Sequence, residues 1–274
     1  METILVPTDF SSSARNALDY AVALSNLFDS RIILVNATPL PMPTYDAALP
    51  VEIMTDLEKS SKEGLENLKK EIQSRSKRKL EIECFTEMGY AEDVIESAAH
   101  KYGADLIVLG IIGEAGKLKE HLIGSTAVKV ARNINIPTFI IPENMRYQKI
   151  QKIAFACDLE KTEETTLLYI VKFFSKLFDA ELEVIHIEHP YEEISTEKSR
   201  SSAYLEKKLE DIKHKTTYIT HSEVARGLEE YLRSHPADLL LINPKKHGIF
   251  YNLFNESVTN ELAFHTNMPI LAIH

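Results

Sequence analysis

The chain has 274 residues, 44% hydrophobic and 26% charged, with 9 Gly and 11 Pro. That length suits about two ordinary domains, and the apolar content excludes a disordered or collagen-like chain. The net charge of −10 divides evenly, with 16 Lys+Arg against 21 Asp+Glu in residues 1–148 and 15 against 20 in residues 149–274, so no basic face is set aside for nucleic acid.

The one basic run, Arg75, Lys77, Arg78 and Lys79, reads as a solvated helix end. No apolar run is long enough to cross a bilayer, so no membrane partner is expected. Met1-Glu2-Thr3 leads directly into Ile4-Leu5-Val6, without a basic region or cleavage site, and a cytoplasmic location is the expectation. Cys84 and Cys157 fit neither a disulfide framework nor a zinc-ligand spacing.

In chain order, the first apolar run ends at Pro7-Thr8-Asp9. A helical face follows at Ala14, Ala17, Leu18, Ala21, Leu24 and Phe28, with Ser11 to Ser13 as cap candidates. After the run Ile32 to Val35, a second helix is expected from about Val51 to Ser74, with Met54, Leu57, Leu65, Leu68 and Ile72 on one side. A third buries Val94, Ile95, Ala98 and Tyr102. A fourth opens at Gly124-Ser125-Thr126 and carries Val128, Ala131 and Ile134. The runs between helices are uniformly apolar, as in parallel strands covered on both faces. Five strands alternating with four helices make a doubly wound α/β domain.

The chain then repeats itself. Ile4 to Asp9 matches Ile153 to Asp158, Leu27-Phe28-Asp29 matches Leu177-Phe178-Asp179, Ala104 to Leu109 matches Ala237 to Ile242, and Ile136 to Ile141 matches Met268 to Ile273. Matched segments in the same order mark a duplicated domain, 1–145 and 149–274, jointed near Glu143 to Tyr147. The second half is expected to place helices at Leu167 to Phe178 and from about Tyr191, Ser222 and Glu256, giving ten strands in two sheets.

In such a sheet, ligands bind beyond the carboxyl ends of the strands where strand order reverses. The first and fourth strands of the first half end at Pro7-Thr8-Asp9 and Gly110-Ile111-Ile112-Gly113. Glycine admits a ligand close to the backbone, and the helix opening at Gly124-Ser125-Thr126 offers free N–H groups to phosphate. Asp9 suits a ribose hydroxyl or Mg²⁺.

These residues resemble the ATP-binding signature of the universal stress protein family. The resemblance is carried by Pro7-Thr8-Asp9-Phe10-Ser11, Gly89 to Ile95, Ala104 to Gly110, Gly110-x₂-Gly113, and Gly124-Ser125. It implies two domains, each a five-stranded parallel sheet of order 3-2-1-4-5 flanked by helices, paired through their last strands as an intrachain pseudo-dimer; a further homodimer is compatible with it. It also implies ATP, or AMP or ADP, between the first and fourth strands, with Mg²⁺ admissible. Pro7, Thr8 and Asp9 would border the adenosine and Asn36 the base. Leu109, Gly110 and Gly113 would lie along ribose and phosphates, and Gly124, Ser125 and Thr126 would bind the phosphates. Two features depart from the family pattern. Ten residues rather than nine separate Gly113 from Gly124, and Ile112 stands where a basic or His side chain is frequent. Glu114 beside a triphosphate would repel it unless Lys117 or Lys119 turns inward.

The second half reads Asn243-Pro244-Lys245-Lys246-His247-Gly248, then Asn255-Glu256-Ser257, in place of the glycine motif. A degenerate copy serving as structural partner is expected there. His186 and His189 invite a metal reading, but strand residues three apart face opposite ways. Pro39, Pro41, Pro43 and Pro50 suit either a lid or a stiff connection. Cys157 could be a redox-sensitive thiol or a small core residue. No nucleophile–base set and no Walker-type motif is present, so no catalytic residue is named. Any turnover would be slow hydrolysis or self-phosphorylation at Ser125 or Thr126. Two functions stay open: an ATP-binding stress-response regulator, or a dimerising or protein-interaction scaffold that binds no nucleotide.

Overall fold

A computed structural model describes residues 1–40, 51–76, 78–111, 125–143, 145–158, 165–190, 196–244 and 268–274. The first half contains β1 (Thr3–Pro7), α1 (Ser12–Phe28), β2 (Arg31–Thr38), α2 (Val51–Arg75), β3 (Ile82–Met88), α3 (Ala91–Tyr102), β4 (Leu106–Ile111), α4 (Ser125–Asn133) and β5 (Thr138–Pro142). The second contains β6 (Lys152–Ala156), α5 (Thr165–Phe178), β7 (Glu181–Glu188), α6 (Thr196–Leu209), β8 (His214–Thr220), α7 (Val224–Ser234), β9 (Leu239–Ile242) and β10 (Ile270–Ala272). The helix expected from about Glu256 lies outside the described residues.

The strands form one sheet of ten in the order β3-β2-β1-β4-β5-β10-β9-β6-β7-β8. Each half thus has the order 3-2-1-4-5, parallel throughout. The two sheets expected from the sequence are joined rather than separate: β5 and β10 pair antiparallel, with Ile140 opposite Ile270, Phe139 opposite Leu271 and Thr138 opposite Ala272. Both strands are wholly buried. A buried edge must satisfy its N–H and C=O groups, and each last strand supplies the other's partners.

The repeated sequence segments have local causes. Asp29 and Asp179 end α1 and α5 in left-handed backbone, at φ 60° and 52°. The chain then turns back so that Ser30 and Ala180 donate to the carbonyls of Ser25 and Ser175, a helix end that tolerates Asp better than most residues. Asp105 accepts from the amides of Glu2 and Thr3, and Asp238 from those of Gln151 and Lys152. These aspartates satisfy the amides that lead into β1 and β6. At the other end of α1, Ser11 caps the helix by accepting from the Ala14 amide at 3.2 Å.

Two cores sandwich the sheet. One lies under α1, α2, α5 and α6, the other under α3, α4 and α7. The first crosses the joint between halves: the rings of Tyr20 and Phe139 are 5.9 Å apart, Phe139 and Phe174 6.2 Å, and Phe28 and Phe178 6.0 Å. Most expected core positions are buried. On α3, however, Ala99 takes the fully buried place expected of Tyr102, which packs half-buried edge-on to Phe85.

Candidate functional site

β1 has β2 on one side and β4 on the other, so the chain winds outward in opposite directions from this pair. At its carboxyl end lies a cavity of about 200 Å³. Pro7, Thr8 and Asp9 line it from β1 and Leu109, Gly110 and Ile111 from β4. Val35 and Ala37 of β2, with Ala91 and Ile95 of α3, form an apolar wall. Ser13 and Ala14 of α1 and Thr126 and Ala127 of α4 complete it.

The Thr8–Ser11 loop is held by its own side chains. The Thr8 amide donates to the Val35 carbonyl at 2.8 Å. Thr8 Oγ1 accepts from the Phe10 amide, and Asp9 Oδ1 from the Ser11 amide, both at 3.0 Å. Such local turns are what short polar side chains offer a backbone. Phe10 takes a left-handed φ of 65°. Its ring lies against Gly64 of α2, where an added Cβ would come within 2.7 Å of it. Asp9 is left exposed at the cavity mouth.

Of the ten residues singled out in the sequence, Pro7, Thr8, Asp9, Leu109, Gly110 and Thr126 come together around this cavity. Gly113, Gly124 and the side chain of Ser125 lie outside the described residues, as do Pro41, Pro43 and Pro50. Asn36 does not line the cavity. Successive strand residues face opposite ways, so Val35 and Ala37 face the cavity while Asn36 points toward α2. There Asn36 Nδ2 donates to the Thr8 carbonyl at 2.7 Å, and its Oδ1 accepts from Ser61 Oγ at 2.6 Å. Its place is behind the Thr8–Ser11 loop. Gly110 has a second reason to be glycine: a Cβ would lie 2.2 Å from the Ser13 carbonyl oxygen, where the first turn of α1 crosses β4.

Sequence reading missed the apolar wall and the convergence of helix ends. α1, α3 and α4 all direct N-terminal turns at the cavity, through Ser13 and Ala14, Ala91, and Thr126 and Ala127. The N–H groups at such helix starts carry partial positive charge; in α1 the Ala14 amide is already taken by Ser11. α3 has no side-chain cap at Tyr90. An available signal was the recurrence of alanine at the starts of these helices, where small side chains leave room. The arrangement suits a ligand with a flat apolar part against β2 and α3 and an anionic part at the helix ends.

The second half differs at matching positions. His186 occupies the register place of Asn36, buried, with Nδ1 2.9 Å from the Cys157 carbonyl oxygen. Asn243, with a Cβ, stands at the place of Gly110. Cys157 is buried, and burial first, then the nearby Asp158 charge, pushes its thiol pKa well above the ordinary range, which favours the reading of a small core residue over a reactive thiol. Among the described residues no group of three or more His, Cys, Asp or Glu side chains is placed to hold a metal ion. No helix of the described residues is long and apolar enough to cross a membrane.

A family model described as the universal stress protein family matches residues 1–142. Universal stress protein MJ0531 of Methanocaldococcus jannaschii is 30% identical over 141 residues, which cover 50% of this chain and 80% of that protein. Universal stress protein MJ0577 of the same organism is 27% identical over 154 residues, covering 50% of this chain and 93% of that protein. The crystal structure of a universal stress protein from Archaeoglobus fulgidus covers 99% of this chain and 97% of its own, with a TM-score of 0.75 at 18% identity. That likeness carries the fold across both halves. With the doubly wound order, the cavity at the β1–β4 divide and the family match over the first half, the chain belongs to the universal stress protein family.

Proposed function

We propose that the first half binds an adenine nucleotide, ATP or its products AMP and ADP, and that the chain acts as a cytoplasmic, nucleotide-responsive regulator in the response to stress. The observation that supports this most is the cavity at the end of β1 and β4, lined by Pro7, Thr8, Asp9, Leu109, Gly110 and Thr126. The base would lie against Val35, Ala37, Ala91 and Ile95. The phosphates would extend past Gly110 toward the start of α4, where Ser125 and Thr126 open the helix, and onward to Gly113 and Gly124. Asp9 is the exposed carboxylate at the mouth, and Mg²⁺ commonly binds through one or two carboxylates plus phosphate oxygens and water.

The second half serves as structural partner, its β10 closing the edge that β5 would otherwise expose, so that the two halves act as a pseudo-dimer within one chain. Thermal unfolding with ATP, AMP, ADP and GTP tests the reading. ATP at about a hundred times its Kd adds about 2.7 kcal/mol of stability, whereas GTP shifts the transition less. An ATP-independent transition contradicts nucleotide binding and leaves the scaffold reading.

A further inference from the structure

The groove between the first two helices of each half can be compared within one molecule. In the first half, α1 and α2 are tied across it by charge. Arg15 lies 3.0 Å from Glu71, and Arg75 lies 3.3 Å from Asp19 and 3.2 Å from Glu71. In the second half, Tyr169 stands where the repeat places Asp19, and it is 70% exposed. With Phe173 and Leu177 it lines an apolar groove of about 640 Å³ between α5 and α6. Among the described residues, Lys172, Lys176 and Lys208 rim the groove with one acid, Asp211, which pairs with Lys172 and Lys176 at 2.5 Å each. This is a cationic, apolar patch on a chain of net charge −10.

A complementary surface exists on the same chain. α2 is 25 residues long, against 14 for α6, and residues 52–60 at its start include no buried residue. Ile53 is 45% exposed, and Met54 and Leu57 are partly exposed on the same stripe. Glu52, Asp56 and Glu58 flank that stripe against Lys59 and Lys62, the latter 2.5 Å from Glu58, which leaves the first turns of α2 net acidic. The groove and the helix therefore match in apolar content and oppose in charge. They cannot meet within one molecule, because α2 packs on β2 and β3 at one end of the sheet and α6 lies beside α5 in the other half.

We propose that the acidic first turns of α2 dock into the α5–α6 groove of a second copy of this chain. Two copies making this contact reciprocally, each placing its α2 in the other's groove, close an isologous dimer. One helix in one groove buries less than about 1,200 Å², so association depends on concentration and weakens with salt.

Sedimentation of the full chain from about 1 to 100 µM reads this directly. The expected mass rises from 31.1 kDa toward twice that value. Ile53→Asp and Tyr169→Asp, both at exposed positions, each raise the midpoint about tenfold or more while circular dichroism and thermal unfolding stay as in the parent. Mixed in equal amounts, the two variants associate again, because the intact α2 of one fits the intact groove of the other. Glu52→Lys and Lys176→Glu take their places if either variant fails to fold. A parent chain that stays monomeric, association undiminished in both variants, or a mixture no more associated than its parts would overturn the proposal.

Discussion

Gly110 sits where two backbones meet, and its missing Cβ lets α1 cross β4 beside the cavity. Gly110→Ala forces the Ser13 backbone aside. The expected cost is about 2 kcal/mol, read by urea unfolding, together with loss of nucleotide binding at the displaced loop. Glu183 is a different kind of residue. It is 1% exposed, at the position where the first half has Ile33. Lys215 lies 2.8 Å and Lys152 3.3 Å away, Thr217 donates to it at 3.0 Å, and Tyr231 also donates to it. Burial raises its pKa, but the bonds from Lys215, Tyr231, Thr217 and Lys152 outweigh it and hold the carboxyl at about 2. A pKa lowered by folding contributes stability above the unfolded value of about 4.3, and that stability is lost as pH falls toward about 2. Unfolding free energy should therefore drop across that window, and the drop should shrink in Glu183→Ala. At neutral pH the same variant takes the acceptor from Thr217 and Tyr231 and releases two partly exposed lysines to water, at a cost of about 1–3 kcal/mol. A Glu183→Ala protein as stable as the parent would contradict the network.

At the scale of elements, the sequence repeat was legible because its segments carry structural duties. The Asp residues that close α1 and α5, and those that brace the amides before β1 and β6, recur because backbone geometry demands them twice. Helix positions followed from apolar periodicity, and α2 from Val51 to Arg75 lies within a residue of expectation. The joining of two sheets into one was not legible from strand patterns, since a buried edge strand and a buried central strand read alike. That Asn36 faces α2 rather than the cavity was not legible for a related reason: position along β2 was clear, but the face it presents depends on strand phase. Phe139 tests the joint. It lies on β5 between the rings of Tyr20 and Phe174, so Phe139→Ala should cost about 3–5 kcal/mol. Its effect should reach probes in both halves within one unfolding transition. Loss of the first half alone, with the second folding normally, would contradict a shared core.

At the scale of the whole molecule, duplication yields two similar frames with different contents. In the first half, three helix starts, an apolar wall and the Thr8–Ser11 turn converge on a cavity; in the second, His186 and Asn243 occupy the places of Asn36 and Gly110. The sequence pointed to the site through its strand ends and glycines, and six of those residues meet there. The wall from β2 and α3 was invisible because Val35, Ala37, Ala91 and Ile95 look like ordinary core until the fold brings them side by side. If the first half binds nucleotide as proposed, one ligand per chain is the expectation from these differences among the described residues. The most direct measurement is a calorimetric titration of nucleotide-free protein with Mg·ATP, repeated on Ala37→Phe, which fills the cavity from β2 and leaves the loop unchanged. The account predicts one site per chain in the parent and none in the folded variant. No heat in the parent at about millimolar ATP, or binding that persists in Ala37→Phe, would contradict it.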